Sequence, residues 1–207
     1  MELPPIDTEY MLDVLVRLLN TPSPTGLAEP AIALVEKELI SLRSLTLRRT
    51  RKGALVAAWK GKSSESSAAS GPITPRALTA HVDTLGAMVK EIKPSGRLKL
   101  TKIGGFAWNT VEGEGCWVLT SSGKRVRGAF LLAKASSHVY GGAVNKTKRE
   151  DDAMEVRLDA ITASADETRA LGIEVGDFVV FDPRVEQTEG FVRSRHLDDK
   201  ACVACLL

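Results

Sequence analysis

Cysteine is scarce in these 207 residues. Cys116, Cys202 and Cys205 are too few for a disulfide framework in a chain this long. A reducing cytoplasm is therefore the expected compartment. No run approaches the roughly 18 apolar residues of a membrane span, so no membrane partner is expected. Met1–Asp7 lacks the basic start and apolar core of a signal peptide. Neither sign of charge dominates: 28 basic and 26 acidic residues leave +2, with no clustered basic surface to argue for nucleic acid. No internal repeat is present. What remains is ordinary globular composition, 43% hydrophobic and 26% charged, which excludes a disordered or collagen-like chain.

The N-terminal third reads as helices followed by strands. Leu12, Leu15, Val16 and Leu19 recur at helical spacing, with Asp7 or Thr8 available as N-cap. The segment Thr21–Gly26, with two prolines and a glycine, ends that helix. A second helix opens near Pro30, with Ala31, Leu34, Val35, Leu39 and Leu42 as its apolar stripe. Leu45–Arg48, Ala54–Trp59 and Arg76–Ala80 read as strands, and the Ser/Gly-rich segment 61–71 reads as a surface loop.

From Ala87 to Arg184 the texture changes. Six short strand-like runs alternate with glycine turns: Met88–Ile92, Arg97–Leu100, Cys116–Leu119, Arg127–Leu132, Met154–Leu158 and Phe178–Phe181. This spacing predicts a small β-barrel or sandwich. Ser164 and Glu167 form a capping-box signal for a helix inside it. Ala201–Leu207 reads as the opening of a buried helix with no stop signal, so further chain is expected after it.

Two short motifs could carry chemistry. His81 and Asp83 follow an apolar run, and side chains two apart in extended backbone point the same way. An imidazole could hold a divalent metal while the carboxylate orients it; a surface histidine beside a turn aspartate is the alternative. Asp198 and Asp199 are adjacent acids. One could cap the following helix, or one carboxylate could bridge two metal ions. Cys202 and Cys205 lack a second cysteine pair and read as small buried helix residues rather than a zinc site. His138 and His196 read as structural. Lys146–Arg149 is balanced by Glu150–Asp152 and reads as a solvated loop. The Gly104–Gly105 and Gly141–Gly142 pairs read as barrel turns, without the strand-to-helix setting of a phosphate loop.

The ordered set Thr21–Gly26, Ala80–Asp83, Ile103–Gly105, Leu171–Asp177 and His196–Lys200 resembles the glutamyl and deblocking aminopeptidases. These are the cytosolic tetrahedral metallo-aminopeptidases, related to proteins once labelled endoglucanases. The resemblance implies an α/β fold: an aminopeptidase-like three-layer catalytic domain, incomplete here, interrupted by a small β-barrel. Residues 1–86 and 187–207 would form the two catalytic segments and 87–186 the inserted barrel, which generally serves in homo-oligomer assembly and in shaping substrate access. It implies two divalent ions (Zn, Co or Mn), with His81 and Asp198 as ligands and Asp198 bridging. Asp83 would orient His81 or tune the catalytic base. Asp199, joined to Asp198 by a peptide that is often cis in related enzymes, would support the site.

This chain departs from the family pattern in three places. The later Glu-Glu pair, Asp and His that complete the family's site do not occur in it. Lys200 stands where Arg is usual, and Ser136–Ser137 precede His138 where prolines are usual. The wording around His81–Gly86 and Phe191–Lys200 is similar to a branch found beside enzymes that make N-acetylglutaminylglutamine amide. The expected activity is therefore cleavage of N-terminal residues from short peptides or a small modified peptide. The alternatives are an inactive fragment or oligomerisation module, and a hydrolase of small N-acylated amino acids or dipeptides.

Overall fold

The computed structural model describes residues 5–60 and 76–207. The loop expected over 61–71 lies outside the described residues. The chain divides into two compact units, one formed by Met1–Asp83 with Val185–Leu207 and the other by Thr84–Arg184.

The first unit is built on helices. Helix α1 (Thr8–Leu19) starts at Asp7, whose carboxylate accepts from the Tyr10 backbone N–H at 3.0 Å. Its buried face is Val14, Leu15, Leu18 and Leu19. The expected stripe through Leu12 and Val16 is thus rotated, because the pairs Val14/Leu18 and Leu15/Leu19 stack on one side four residues apart. Helix α2 (Glu29–Leu39) has Pro30 in its first turn and buries Ala31 and Val35. Leu42 lies past its end and is exposed. Strands β1 (Leu45–Arg49) and β2 (Leu55–Trp59) form a two-stranded antiparallel sheet with Leu47 opposite Ala57. Residues 76–80 form no strand: 76–79 are exposed and nothing among the described residues supplies a ladder partner. An apolar run alone does not make a strand; the backbone N–H and C=O groups need a neighbour.

The returning segment adds a short hairpin of β9 (Glu186–Thr188) and β10 (Phe191–Arg193), then α6 (Leu197–Leu206). The backbone is non-helical at Asp198 and Asp199 before the helix continues. Helix α6 packs Val203 and Ala204 into the cluster formed by the α1 face, Ala31, Val35 and Val82.

The second unit is a closed six-stranded barrel in the order β3 (Gly86–Ile92), β4 (Leu98–Ile103), β7 (Met154–Leu158), β6 (Arg125–Leu132), β5 (Gly115–Leu119), β8 (Phe178–Phe181). All neighbours are antiparallel. Each of the six runs expected from the alternation becomes one strand. Leu98 and Leu100, Cys116 and Val118, and Phe130 and Leu132 point inward at period two, and all six are fully buried. Phe106, Trp108, Phe130 and Phe181 fill the barrel with edge-on and tilted ring contacts at 5.1–6.1 Å. Between β6 and β7 lie α3 (Ser137–Tyr140) and α4 (Ala143–Lys146). Before β8 lies α5 (Ala165–Ala170), capped by Ser164 as its sequence signal predicts. Gly128 on β6 has no room for a side chain. A Cβ there would stand 2.8 Å from the Arg157 carbonyl oxygen and 2.9 Å from Val156. Buried Glu155 holds the cations of Lys93, at 2.9 Å, and Arg97. No helix among the described residues is long and apolar enough to cross a membrane.

Candidate active site

All four residues singled out as site candidates lie in the first unit. Val82 is in the core and its carbonyl accepts from the buried Ser23 hydroxyl at 2.7 Å. On either side of it His81 is exposed and Asp83 partly exposed, so the two flanking side chains point away from the core. The His81 ring stands among three acceptors. Its Nδ1 is 3.2 Å from Asp83 Oδ1 and 3.2 Å from the Asp83 carbonyl oxygen. Its Nε2 is 3.3 Å from Asp198 Oδ1. The His81 backbone N–H donates to Asp199 Oδ2 at 3.3 Å. Residues 81 and 198 are thus brought within contact across the whole barrel-forming stretch of sequence.

Asp83 is itself held. Its Oδ2 accepts from the Thr25 hydroxyl at 2.7 Å. The Asp198–Asp199 peptide is cis. The Asp199 carboxyl lies below the ordinary carboxylate range. The Cys202 thiol that donates to it is the main cause, and the His81 backbone N–H adds to the effect. The same contact pushes the Cys202 thiol up. Cys202 and Cys205 are both exposed, which corrects the expectation that they are buried. The buried side of α6 is Lys200, Val203 and Ala204, so positions 202 and 205 face outward. Cys205 Sγ lies 3.9 Å from Met11 Sδ.

Lys200, which stands where Arg is usual in the family, has an unusual setting. It is fully buried, and its ammonium donates to the carbonyls of Leu18 and Thr21, both at 2.8 Å. The Leu18 carbonyl, in the last turn of α1, also accepts from the Thr21 backbone N–H at 3.0 Å, and the Thr21 carbonyl lies just past the helix end. Burial pushes the ammonium down to about 8. His196 begins α6 in the left-handed region, at φ 69°. Burial, with the nearby Lys200 and Arg195 charges, pushes its imidazole to about 4, so it is neutral near pH 7. His138 lies on α3 in the barrel unit.

The donor set can be tested against a divalent cation by distance and by charge. A tetrahedral ion with metal–N and metal–O bonds of about 2.0–2.2 Å separates two of its ligand atoms by about 3.3–3.5 Å. His81 Nε2 and Asp198 Oδ1 stand 3.3 Å apart. A neutral imidazole carries one N–H, which cannot serve acceptors at both nitrogens. With the proton on Nδ1 toward Asp83, the Nε2 lone pair opposes a carboxylate oxygen unless a positive charge lies between them. The pair therefore fits a cation, and it supplies two donors. Among the described residues no group of three or more His, Cys, Asp or Glu could hold a metal ion.

Ser23, Thr25 and Lys200 are absent from the sequence-derived site. Thr25 and Asp83 are 58 residues apart and Lys200 and Leu18 are 182 apart, so no local spacing signals either contact. The Thr21–Gly26 segment is read as a helix stop and, with His196–Lys200, as part of the set that carries the family resemblance, with no side-chain contact assigned to either.

With this geometry in view, the comparisons with known proteins define the class. The M42 glutamyl aminopeptidase family matches over residues 53–207, and the chain belongs to that family. YhfE, a candidate aminopeptidase of Bacillus subtilis (strain 168), is 48% identical over 197 residues, covering 95% of this chain and 54% of YhfE. Among solved structures, the aminopeptidase APDkam598 from the archaeon Desulfurococcus kamchatkensis is 27% identical. It superposes with a TM-score of 0.76, covering 95% of this chain and 49% of the other. The Pyrococcus horikoshii TET1 peptidase, described as able to assemble into a tetrahedron or a large octahedral shell, shares the fold. Its TM-score is 0.75 at 22% identity, covering 95% of this chain and 54% of the other. The chain spans about half the length of these relatives.

Proposed function

We propose that this chain carries part of the active site of a metal-dependent aminopeptidase acting on short peptides in the cytoplasm. The observation that carries the reading is the 3.3 Å approach of His81 Nε2 to Asp198 Oδ1, an imidazole and a carboxylate donor at the edge length of a tetrahedral ion. In this reading His81 and Asp198 are ligands, and the second Asp198 oxygen is available to a second ion; Zn, Co and Mn suit this chemistry. Such an ion, when bound, lowers the pKa of its water and polarises the scissile carbonyl.

The protein's own part is positional. The Asp83 backbone carbonyl accepts the His81 Nδ1 proton, with the Asp83 carboxylate 3.2 Å from the same nitrogen, which turns the Nε2 lone pair outward toward Asp198. Asp199 accepts the His81 backbone N–H and so ties the two segments together. Lys200 anchors the residue after them to the end of α1. The barrel unit is assigned to homo-oligomer assembly, a role supported by its closed architecture and by the shell-forming TET1 peptidase of the same fold.

A substrate panel tests the function. Free-amine dipeptides and aminoacyl anilides, supplied with Zn²⁺, Co²⁺ or Mn²⁺, are compared with their N-acetylated counterparts. In the complete gene product, hydrolysis is expected on the free-amine substrates and is abolished by a chelator and by Asp198→Ala, whereas the 207-residue chain alone, with part of the site, is expected to hydrolyse little. Chelator-resistant hydrolysis, or a preference for N-acetylated substrates, contradicts the reading.

A further inference from the structure

Helix α6 carries two cysteines for which peptide hydrolysis has no use. Cys202 and Cys205 are three apart, and residues three apart on a helix hold their Cβ atoms on one side, about 5–6 Å from each other. Both are free thiols and both are exposed. At the rim of the contact between α6 and α1, Met11 joins them: its Sδ stands 3.9 Å from Cys205 Sγ. Two thiols and a thioether thus gather where two helices of one compact unit meet, although Met11 and Cys205 are 194 residues apart in sequence.

We propose that Met11, Cys202 and Cys205 form a binding site for a soft monovalent metal ion, Cu(I). Nothing in this site depends on whether the chain is an aminopeptidase. Thiolate and thioether sulfurs select Cu(I) over the harder cations that carboxylates hold. Structural zinc takes four ligands, and this face offers three, so zinc is left incompletely held. Cu(I) is satisfied by fewer donors. The spacing also fits. Metal–sulfur bonds of about 2.3 Å in a trigonal plane separate neighbouring sulfurs by about 4.0 Å. Met11 Sδ and Cys205 Sγ already stand at 3.9 Å. The Cys202 thiol donates to Asp199, a bond that uses its proton and leaves the sulfur lone pairs free. Binding forms two copper–thiolate bonds and one copper–thioether bond and releases both thiol protons to solvent. Neither copper nor sulfur changes oxidation state. Cys116, buried inside the barrel of the other unit, takes no part. A plain S–H···S contact between Cys205 and Met11 would have the same length without any metal, and the number of sulfurs on bound copper separates the two.

The experiment is anaerobic titration of Cu(I) into the 207-residue chain against a coloured Cu(I) chelator, with X-ray absorption counting the sulfur neighbours of the bound metal. The wild type is expected to withdraw one equivalent of copper from the chelator and to surround it with three sulfurs. The double variant Cys202→Ser with Cys205→Ser changes only exposed thiols, keeps Cys116, and is expected to lose binding. Met11→Leu conserves volume at a half-buried position and is expected to stay folded by circular dichroism. It is expected to lower affinity roughly 10-fold, which is about 1.4 kcal/mol, and to leave two sulfurs on the metal. His81→Ala is expected to leave Cu(I) binding unchanged, which separates this site from the His81–Asp198 pair. A wild type that leaves all copper with the chelator overturns the proposal. So does copper binding that survives the double serine variant, binding that is lost with His81→Ala, or a Met11→Leu variant with wild-type affinity and sulfur count.

Discussion

The two units of this protein are held by different physics. The barrel encloses an apolar interior: Phe130, Trp108, Leu98, Leu100, Leu132 and Val156 are buried by their neighbours on a closed sheet, with no edge left to pair. The other unit has, among the described residues, a smaller apolar cluster and two separate two-stranded sheets. Its chemically interesting part is held by single polar bonds between segments far apart in sequence. A closed sheet tolerates exposed polar edits and punishes core edits. A polar scaffold concentrates its sensitivity in a few donors. The barrel is thus the rigid part by construction, while the region around His81 depends on Ser23, Thr25 and Lys200.

Four changes break or sharpen that contrast, in descending size. Phe130→Ala removes the central ring of the barrel and is expected to cost about 3–5 kcal/mol in denaturant unfolding. A loss below about 1 kcal/mol would mean the barrel is not organised around that ring. Lys200→Met keeps length and burial but removes the ammonium from the Leu18 and Thr21 carbonyls, of which Leu18 keeps the Thr21 backbone N–H. It is expected to cost about 1–3 kcal/mol, read by thermal or denaturant unfolding. Asp7→Ala removes the cap of α1 and is expected to cost about 0.5–2 kcal/mol, with reduced helicity by circular dichroism.

The smallest effect is on pH. The Glu38 carboxyl is held below its ordinary range by Arg17, with Tyr10 adding a further hydrogen bond. The unfolded chain therefore binds a proton at Glu38 before the folded one does. Its contribution is complete above the unfolded carboxylate value near about 4.3 and is lost as pH falls below it. Because the partners are partly exposed, the effect stays below about 1 kcal/mol. Glu38→Gln is expected to flatten the acid limb of the stability profile to that extent.

The contrast also explains what could be read from sequence. The barrel strands were legible because inward-facing residues such as Leu98 and Leu100 or Phe130 and Leu132 repeat every second position, a strictly local signal. The pairing of His81 with Asp83 is local in the same way, two residues along extended backbone. Residues 76–80 misled because their apolar run looks like a strand, while a strand also needs a partner that no local pattern reveals. The Thr25–Asp83 and Lys200–Leu18 bonds could not be read at all. A threonine in a turn and a lysine after two acids have many unremarkable uses, and only folding shows which carbonyl or carboxylate each one meets. Nothing in the residues around Lys200 signals its burial. The outward-facing cysteines failed for a related reason, since the buried face of α6 is set by α1 rather than by residue type.

The central question is whether His81 and Asp198 share a cation. Isothermal titration of Zn²⁺ into the 207-residue chain measures this. Two donors predict modest binding that His81→Ala and Asp198→Ala each abolish, singly, while both variants stay folded. Zinc binding that survives either substitution unchanged would contradict it.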